Sequence, residues 1–117
     1  MDPIIAVALL EKEMDIFIIN ELTLGYRDIY KDISDEEMNN LSDVSLTIIK
    51  NGNMNNEDID YDVILLADII NSINKNHNIS NDVVLINIGK IGDLIKKIDN
   101  ISSKKIMSVI DSIIKKL

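Results

Sequence analysis

The chain has 117 residues, a net charge of −8 and no cysteine, and these properties already exclude several classes of protein. The length suits a single domain, residues 1–117, and the negative charge makes nucleic acid a poor partner because an acidic surface repels phosphate. The absence of thiols excludes disulfides, cysteine nucleophiles and cysteine metal sites. Residues 4–10 form the longest early apolar run, which is too short to span a bilayer and has no basic leader, so we expect a soluble domain.

The charge is unevenly distributed along the chain. Residues 1–89 contain 17 acidic and 5 basic residues, a net −12, whereas residues 90–117 contain 7 lysines and 3 aspartates, a net +4. Two interpretations stay open. The lysines either occupy ordinary solvated helix ends, or they form a basic end that lies against an anionic membrane or an acidic partner.

The first two predicted helices lie before residue 34. Asp2 and Pro3 match the N-cap and N1 positions of a helix over residues 3–22, in which Ile5, Leu9, Met14 or Ile16, and Ile19 recur near helical spacing. Gly25 is then the predicted break. A short second helix follows and carries on one face Tyr26, Ile29, Tyr30 and Ile33.

Ser34 and Glu37 have the spacing of a capping box and predict the next helix, through Leu41. Ser42 or Asp43 is predicted to start another helix, which the polar residues 51–59 end as a loop. Asp60 or Asp62 is the predicted cap of residues 63–73, which are apolar nearly all round and therefore predict a central, buried helix.

After a polar stop at residues 74–78, Ser80 or Asp82 is predicted to begin a helix. A strand over residues 83–88 is the competing prediction, because β-branched runs are ambiguous. The last helix is predicted from Ser102 and Ser103. The inward positions are Val84, Ile88, Ile91, Ile95 and Ile98, and then Ile106, Ile110 and Ile113 or Ile114. The whole pattern predicts an all-α bundle of six or seven helices around one hydrophobic helix.

No arrangement of residues indicates catalysis or a cofactor. His77 is the only histidine and has no cysteine or paired serine for a zinc site or a triad. Alternating aspartates at 58, 60 and 62 resemble a calcium loop, but Val63 and Ile69 stand where that loop needs glycine and glutamate. We therefore expect no enzyme, no metal site and no cofactor.

Two stretches of the chain resemble the poxvirus Bcl-2-like inhibitors of apoptosis, over residues 17–76 by residue and over the whole chain by layout. The residues that carry the resemblance are Ile19, Asn20, Glu21, Tyr26, Ile29, Tyr30, Ile33, Ser45, Leu46 and Thr47, and then Leu65, Leu66, Ala67, Ile70, Asn74 and Lys75. The resemblance implies a helical bundle with a hydrophobic groove that sequesters the BH3-motif helix of pro-death proteins such as Bak, Bax or Bim. The residues expected to line this groove are Tyr26, Ile29, Tyr30, Met38, Leu41, Val44, Ile48, Val63, Leu66 and Ala67.

The chain departs from that family in two ways. Cellular relatives pair an arginine of an Asn-Trp-Gly-Arg motif with an aspartate of the ligand, and here Arg27 and Lys50 are the nearest candidates for that role. Many members also end in a membrane anchor, which this sequence lacks, although its lysine-rich end would suit a juxtamembrane segment. The resemblance thus implies the host cell cytoplasm, and the mitochondrial outer membrane if an anchor follows.

Other interpretations of the sequence remain. One is an acidic helical immunity or antitoxin protein that inhibits a basic partner through charge complementarity, with strongly salt-dependent binding. Another is a viral inhibitor of innate signalling with the same fold, which acts through an outer face and buries Ile29, Val44 and Leu66. A homodimer formed by exchange of the first helix is a further expectation, with Leu24 and Gly25 as the link.

Overall fold

The computed structural model describes residues 2–51, 56–99, 111 and 115, and almost all of these are helical. The helices are α1 (Pro3–Ile29), α2 (Asp35–Asn51), α3 (Asn56–Asn76) and α4 (Asn81–Asp99). This part of the chain contains no strand, so the all-α prediction is confirmed and the competing strand over residues 83–88 is wrong. The last predicted helix lies outside the described residues, except for Asp111 and Lys115, which are both helical and exposed.

The helix starts agree with the local sequence signals. The Asp2 carboxylate accepts a hydrogen bond from the backbone N–H of Ile4 at 2.9 Å, and Pro3 occupies the first turn of α1. Before α2, the Glu37 N–H donates to Ser34 Oγ and the Ser34 N–H donates to Glu37 Oε1, each at 3.1 Å. Both caps satisfy backbone donors that a helix end leaves free, and the predicted capping box is confirmed.

Removing this cap should weaken the protein. We expect Ser34→Ala to lower the free energy of unfolding by about 1 kcal/mol, because the first turn of α2 loses its side-chain acceptor. Ser72→Ala is the matched control, since Ser72 is exposed inside α3 and alanine there favours the helix by a few tenths of a kcal/mol. Urea unfolding followed by circular dichroism measures both, and equal midpoints for the two variants would contradict the capping role.

Two predicted helix boundaries, at Gly25 and at Ser42, are wrong. Both residues lie inside a continuous helix, and each makes a tertiary contact there. Gly25 lies within α1, where an added Cβ would be 2.6 Å from Leu94 Cδ2, so the glycine allows α4 to approach closely. Ser42 lies within α2, and its hydroxyl is 3.3 Å from that of Thr23. The predicted link at Leu24 and Gly25 is thus continuous helix.

The boundaries of α3 differ from prediction at one end. The helix begins at Asn56, so Asp60 and Asp62 are interior residues and the predicted caps are wrong. The predicted stop is confirmed, because the Ile79 N–H donates to the Asn74 carbonyl at 2.8 Å and Asn78 adopts a φ of 55°. This geometry ends a helix in a Schellman motif, and asparagine tolerates the left-handed conformation that it needs.

Apart from Tyr26 and Tyr30, the core is aliphatic, and α2 is the helix that packs against each of the other three described helices. This corrects the prediction that residues 63–73 form the central helix. One stripe of α3 is buried, but Ile64 and Leu65 are 39% and 37% exposed, because an α-helix with one packed neighbour presents its other side to solvent. The inward stripe of α4 is confirmed at its four positions with described side chains, Val84, Ile88, Ile91 and Ile95.

Candidate functional site

The structure brings the predicted groove residues together, but it places most of them in the core. Eight of the ten side chains are at most 3% exposed: Tyr26, Tyr30, Met38, Leu41, Ile48, Val63, Leu66 and Ala67. Ile29 and Val44 are partly buried and pack against the same core. In this conformation these side chains contact one another, and the described part of the chain has no open groove along them.

The two groove tyrosines are buried, and they differ in hydrogen bonding, because the Tyr30 hydroxyl has no hydrogen-bond partner among the described residues. The Tyr26 hydroxyl is hydrogen-bonded to Ser45 inside the α1–α2 contact, and burial holds the pKa of Tyr26 far above its ordinary value. Burial also raises the pKa of Tyr30 to about 12, although the nearby side chains of Asn74 and Asn87 act in the opposite direction. Both hydroxyls therefore keep their protons at physiological pH, and neither is suited to acid–base chemistry.

The predicted partners for a ligand aspartate are both engaged in ion pairs between α1 and α2. Arg27 Nη2 lies 3.0 Å from Asp35 Oδ1, and Lys50 Nζ lies 2.9 Å from Asp15 Oδ2. The hydrogen bond that Lys50 donates to the Asp15 carboxylate raises the pKa of Lys50. A ligand carboxylate at either cation would have to compete with the aspartate that is already there.

His77 is partly buried rather than a free surface histidine. Its Nε2 lies 3.2 Å from Glu37 Oε1, the same carboxylate oxygen that accepts from the Ser34 N–H. His77 thereby joins the end of α3 to the start of α2. Among the residues that the structure describes, no group of three histidine, cysteine, aspartate or glutamate side chains could hold a metal ion.

Glu37 should make stability depend on pH. The backbone hydrogen bond from Ser34 holds the pKa of Glu37 below its ordinary value, and the contact with His77 adds to this. A lowered folded-state pKa contributes stability that is present above the unfolded value of about 4.3 and is lost as pH falls through the folded one. Glu37→Gln should therefore be less stable than the parent at pH 7, and the difference should shrink in acid.

Urea unfolding at neutral and acidic pH measures this difference. Glu36→Gln is the control, because Glu36 is exposed and its replacement removes the same charge from the same helical turn. A stability difference for Glu37→Gln that did not change between the two pH values would contradict the role given to the Glu37 carboxylate.

The most unusual surface of the described chain is the first two thirds of α1. No residue from 3 to 17 is buried, although most of them are apolar. Nine large apolar side chains on this helix are 46–80% exposed, on more than one side of it, and we call the whole set the α1 face: Ile4, Ile5, Val7, Leu9, Leu10, Met14, Ile16, Phe17 and Leu24. Monomeric proteins rarely expose contiguous apolar patches unless these bind something. None of the described helices, α1 included, is both long and apolar enough to cross a membrane.

The α1 face is exposed because α1 is longer than its neighbour. It has 27 residues against 17 in α2, a difference of about 15 Å at 1.5 Å per residue. The Asp15–Lys50 pair places the C-terminal end of α2 beside the middle of α1, so the residues before Asp15 extend past α2. Four of the residues that recur near helical spacing in the sequence are exposed here: Ile5, Leu9, Met14 and Ile16.

Part of the α1 face has the spacing of a helix–helix seam. Val7, Leu10, Met14, Phe17 and Leu24 follow one another at intervals of three and four residues, with Glu21 in the one polar position of the series. This is the spacing that lets apolar side chains of one helix pack between those of another. The face is flanked mainly by carboxylates, Glu11, Glu13 and Asp15. It is therefore suited to an amphipathic helix with basic flanks.

No protein-family model, curated protein sequence or solved structure gave a significant match to this chain. The assignment of function therefore depends on the burial, spacing and charge of the residues described above.

Proposed function

We propose that this chain is a non-catalytic protein that binds an amphipathic helix of a partner along the α1 face. The observation that carries the proposal is the exposure of nine large apolar side chains on one helix, five of them at seam spacing. Covering a side chain of this size is worth about 1.5–3 kcal/mol. A helix that covered several of them would gain enough to bind at micromolar concentration or better, after the cost of association.

We further propose that the chain belongs to the viral inhibitors of host cell death or innate signalling, of the kind that act through an outer face. The resemblance to the poxvirus Bcl-2-like proteins supports this setting, and the burial of eight predicted groove residues favours the outer face over the groove. Inhibition would follow from sequestration of the partner in the host cell cytoplasm, without any reaction.

Capture of a BH3-motif helix in the groove of a six- or seven-helix Bcl-2-like bundle is the second candidate. It is favoured by a cavity of 290 Å³ that Ile29 and Tyr30 line together with Ile79. This function would require the contacts of Leu41 and Leu66, both fully buried, to open for the ligand. Each such side chain contributes several kcal/mol to the folded state, and the candidate therefore ranks below binding at the α1 face.

Calorimetric titration of the full chain with a panel of amphipathic peptides, BH3 motifs included, tests these proposals. Contact through apolar anchors predicts an affinity that changes little with ionic strength, whereas inhibition of a basic partner predicts a steep loss with salt. Loss of binding in Ile29→Ala would indicate the groove. If the folded protein bound no peptide of the panel, the proposal of helix binding would be overturned.

A further inference from the structure

The turn between α3 and α4 is short and contains a strained backbone residue. Only residues 77–80 separate the end of α3 from the start of α4. Within this turn Asn78 has a φ of 55°, a left-handed conformation that is unfavourable for residues with a side chain. The hydrogen bond from the Ile79 N–H to the Asn74 carbonyl keeps the turn bent. If residues 77–80 became helical, α3 and α4 would form one straight helix, so this turn can act as a hinge.

Most of the packing of α4 comes from helices that lie far from it in the sequence. α4 packs chiefly on α1 and to a smaller extent on α2, whereas its neighbour in the chain, α3, packs on α2. The buried stripe of α4 is formed by Val84, Ile88, Ile91 and Ile95. The pair of α3 and α4 is therefore not a self-contained hairpin. α4 would be covered equally well by α1 and α2 of its own chain or by those of a second copy.

Buried polar groups lie where α4 meets the ends of α1 and α3. Asn87 of α4 and Asn74 of α3 are buried, and both side chains lie close to the hydroxyl of Tyr30. The Tyr30 hydroxyl and both polar atoms of the Asn74 side chain nevertheless make no hydrogen bond within the described part of the chain. Unpaired polar groups in a core oppose folding, and water would satisfy them once α4 moved away. α4 should therefore leave its place more readily than a helix held only by apolar contacts.

The surface under α4 is shaped for α4 itself. A Cβ at Gly25 would lie 2.6 Å from Leu94 Cδ2, so the leucine can occupy this place only because residue 25 has no side chain. Core side chains pack closely, and an occupant of a different shape would leave gaps or clash. The occupant that meets these requirements without any change is α4 of a second copy of this chain.

We propose that this protein forms a dimer in which two chains exchange α4 through the hinge at residues 77–80. Each α4 then makes with α1 and α2 of the other chain the contacts that it makes in the monomer, so the exchange loses no packing. It also relieves the left-handed backbone of Asn78 in both chains. The opposing effect is the high effective concentration of a chain's own α4, which is in the millimolar range. The monomer therefore predominates in dilute solution, and the dimer forms as the protein concentration rises.

Substitutions at Asn78 should shift this equilibrium in opposite directions. Asn78→Ala disfavours the left-handed turn and favours a continuous helix, whereas Asn78→Gly accommodates the turn and disfavours the helix. Both variants remove the same amide, and each is therefore the matched control of the other. Because a dimer contains two hinges, we expect the association constant of Asn78→Ala to exceed that of Asn78→Gly by about a hundredfold or more. Sedimentation equilibrium measures both constants.

Two cysteines, introduced into a chain that has none, identify the helix that is exchanged. Gly25→Cys combined with Leu94→Cys should place two thiols within disulfide reach. A Cβ at residue 25 lies 3.2 Å from Leu94 Cγ, which is the position that a cysteine sulfur would take. The disulfide joins residues of one chain in the monomer and of two chains in the exchanged dimer, and a non-reducing gel separates the two products. We expect intrachain disulfides with Asn78→Gly and interchain disulfides with Asn78→Ala.

Equal association constants for the two Asn78 variants would overturn the hinge and with it the proposal. A dimer of Asn78→Ala whose disulfides stay within each chain would overturn the exchange of α4. Circular dichroism confirms that each variant is folded. If Asn78→Ala does not fold, the double-cysteine chain that keeps Asn78 supplies the test. Its refolding at rising protein concentration should increase the share of interchain disulfide, and an unchanged share would overturn the proposal.

Discussion

Leu66→Ala is expected to lower the free energy of unfolding by about 3 kcal/mol. Leu66 is fully buried in the core, and removal of its three outer carbons loses the transfer free energy of the side chain and leaves a cavity. A loss of this size is a large fraction of the stability of a domain of this length. Urea unfolding of the full-length variant, followed by circular dichroism, gives the value directly.

Ile64→Ala is the matched control for Leu66→Ala. It removes a side chain of the same size from the same helix at a position that is 39% exposed, and it should cost less than half as much. The comparison also tests the groove, because a ligand-lining leucine on an open surface would change peptide affinity more than stability. If the two variants unfolded at the same urea concentration, Leu66 would not be a core residue.

Leu10→Glu combined with Phe17→Glu should abolish binding of the partner helix while the protein stays folded. Both side chains lie on the α1 face and are 65% and 58% exposed, so their replacement removes little core packing. Loss of two apolar anchors at about 1.5–3 kcal/mol each corresponds to a reduction in affinity of at least a hundredfold. The added carboxylates also repel any acidic partner group, and calorimetry against the best peptide of the panel measures the loss.

The control for this double variant is Tyr61→Glu. Tyr61 is equally exposed, at 68%, but it lies on α3, which packs on α2. Its replacement removes one exposed apolar side chain and adds one charge, half of the change in the double variant, and it should leave the affinity within a factor of about two, since Tyr61 lies outside the seam. A loss in Tyr61→Glu that matched the loss in the double variant would mean that charge, rather than the α1 face, controls binding.

The parts of the fold that local interactions determine could be predicted from the sequence. The caps formed by Asp2 and by Ser34 with Glu37 satisfy backbone donors within three residues, so the sequence pattern alone identifies them. The buried stripe of α4 follows from helical periodicity in the same way. These signals are sufficient for an all-α prediction because they need no knowledge of which helix packs on which.

The errors occurred where a tertiary contact overrides a local preference. Gly25 suggests a break in isolation, but the packing of Leu94 against it explains the residue inside a continuous helix. Ser45 is fully buried in the middle of α2 and tolerated there because it is hydrogen-bonded to Tyr26, 19 positions earlier in the chain. Helix propensity is a weak prior in such cases.

The candidate site was missed for a related reason. Apolar periodicity shows that a helix has a face to cover, but it cannot show whether a neighbour is there to cover it. The resemblance implied a groove lined by residues such as Leu41 and Leu66, but both side chains are fully buried in the packing of the described helices. The usable signal for the α1 face is the unequal length of α1 and α2, and it becomes visible only when α1 is taken as one helix through Gly25.

Hydrogen–deuterium exchange of the full chain, with and without the tightest peptide of the panel, tests the use of the α1 face most directly. The amides of residues 3–17 belong to a helix with little packed around it, and they should exchange early in the free protein relative to those of α2. If the α1 face is the contact surface, the peptide should slow exchange in residues 3–17 and leave α2 and α3 unchanged. Protection of α2 and α3 by the peptide, with residues 3–17 unaffected, would contradict binding at the α1 face and place the ligand in the groove.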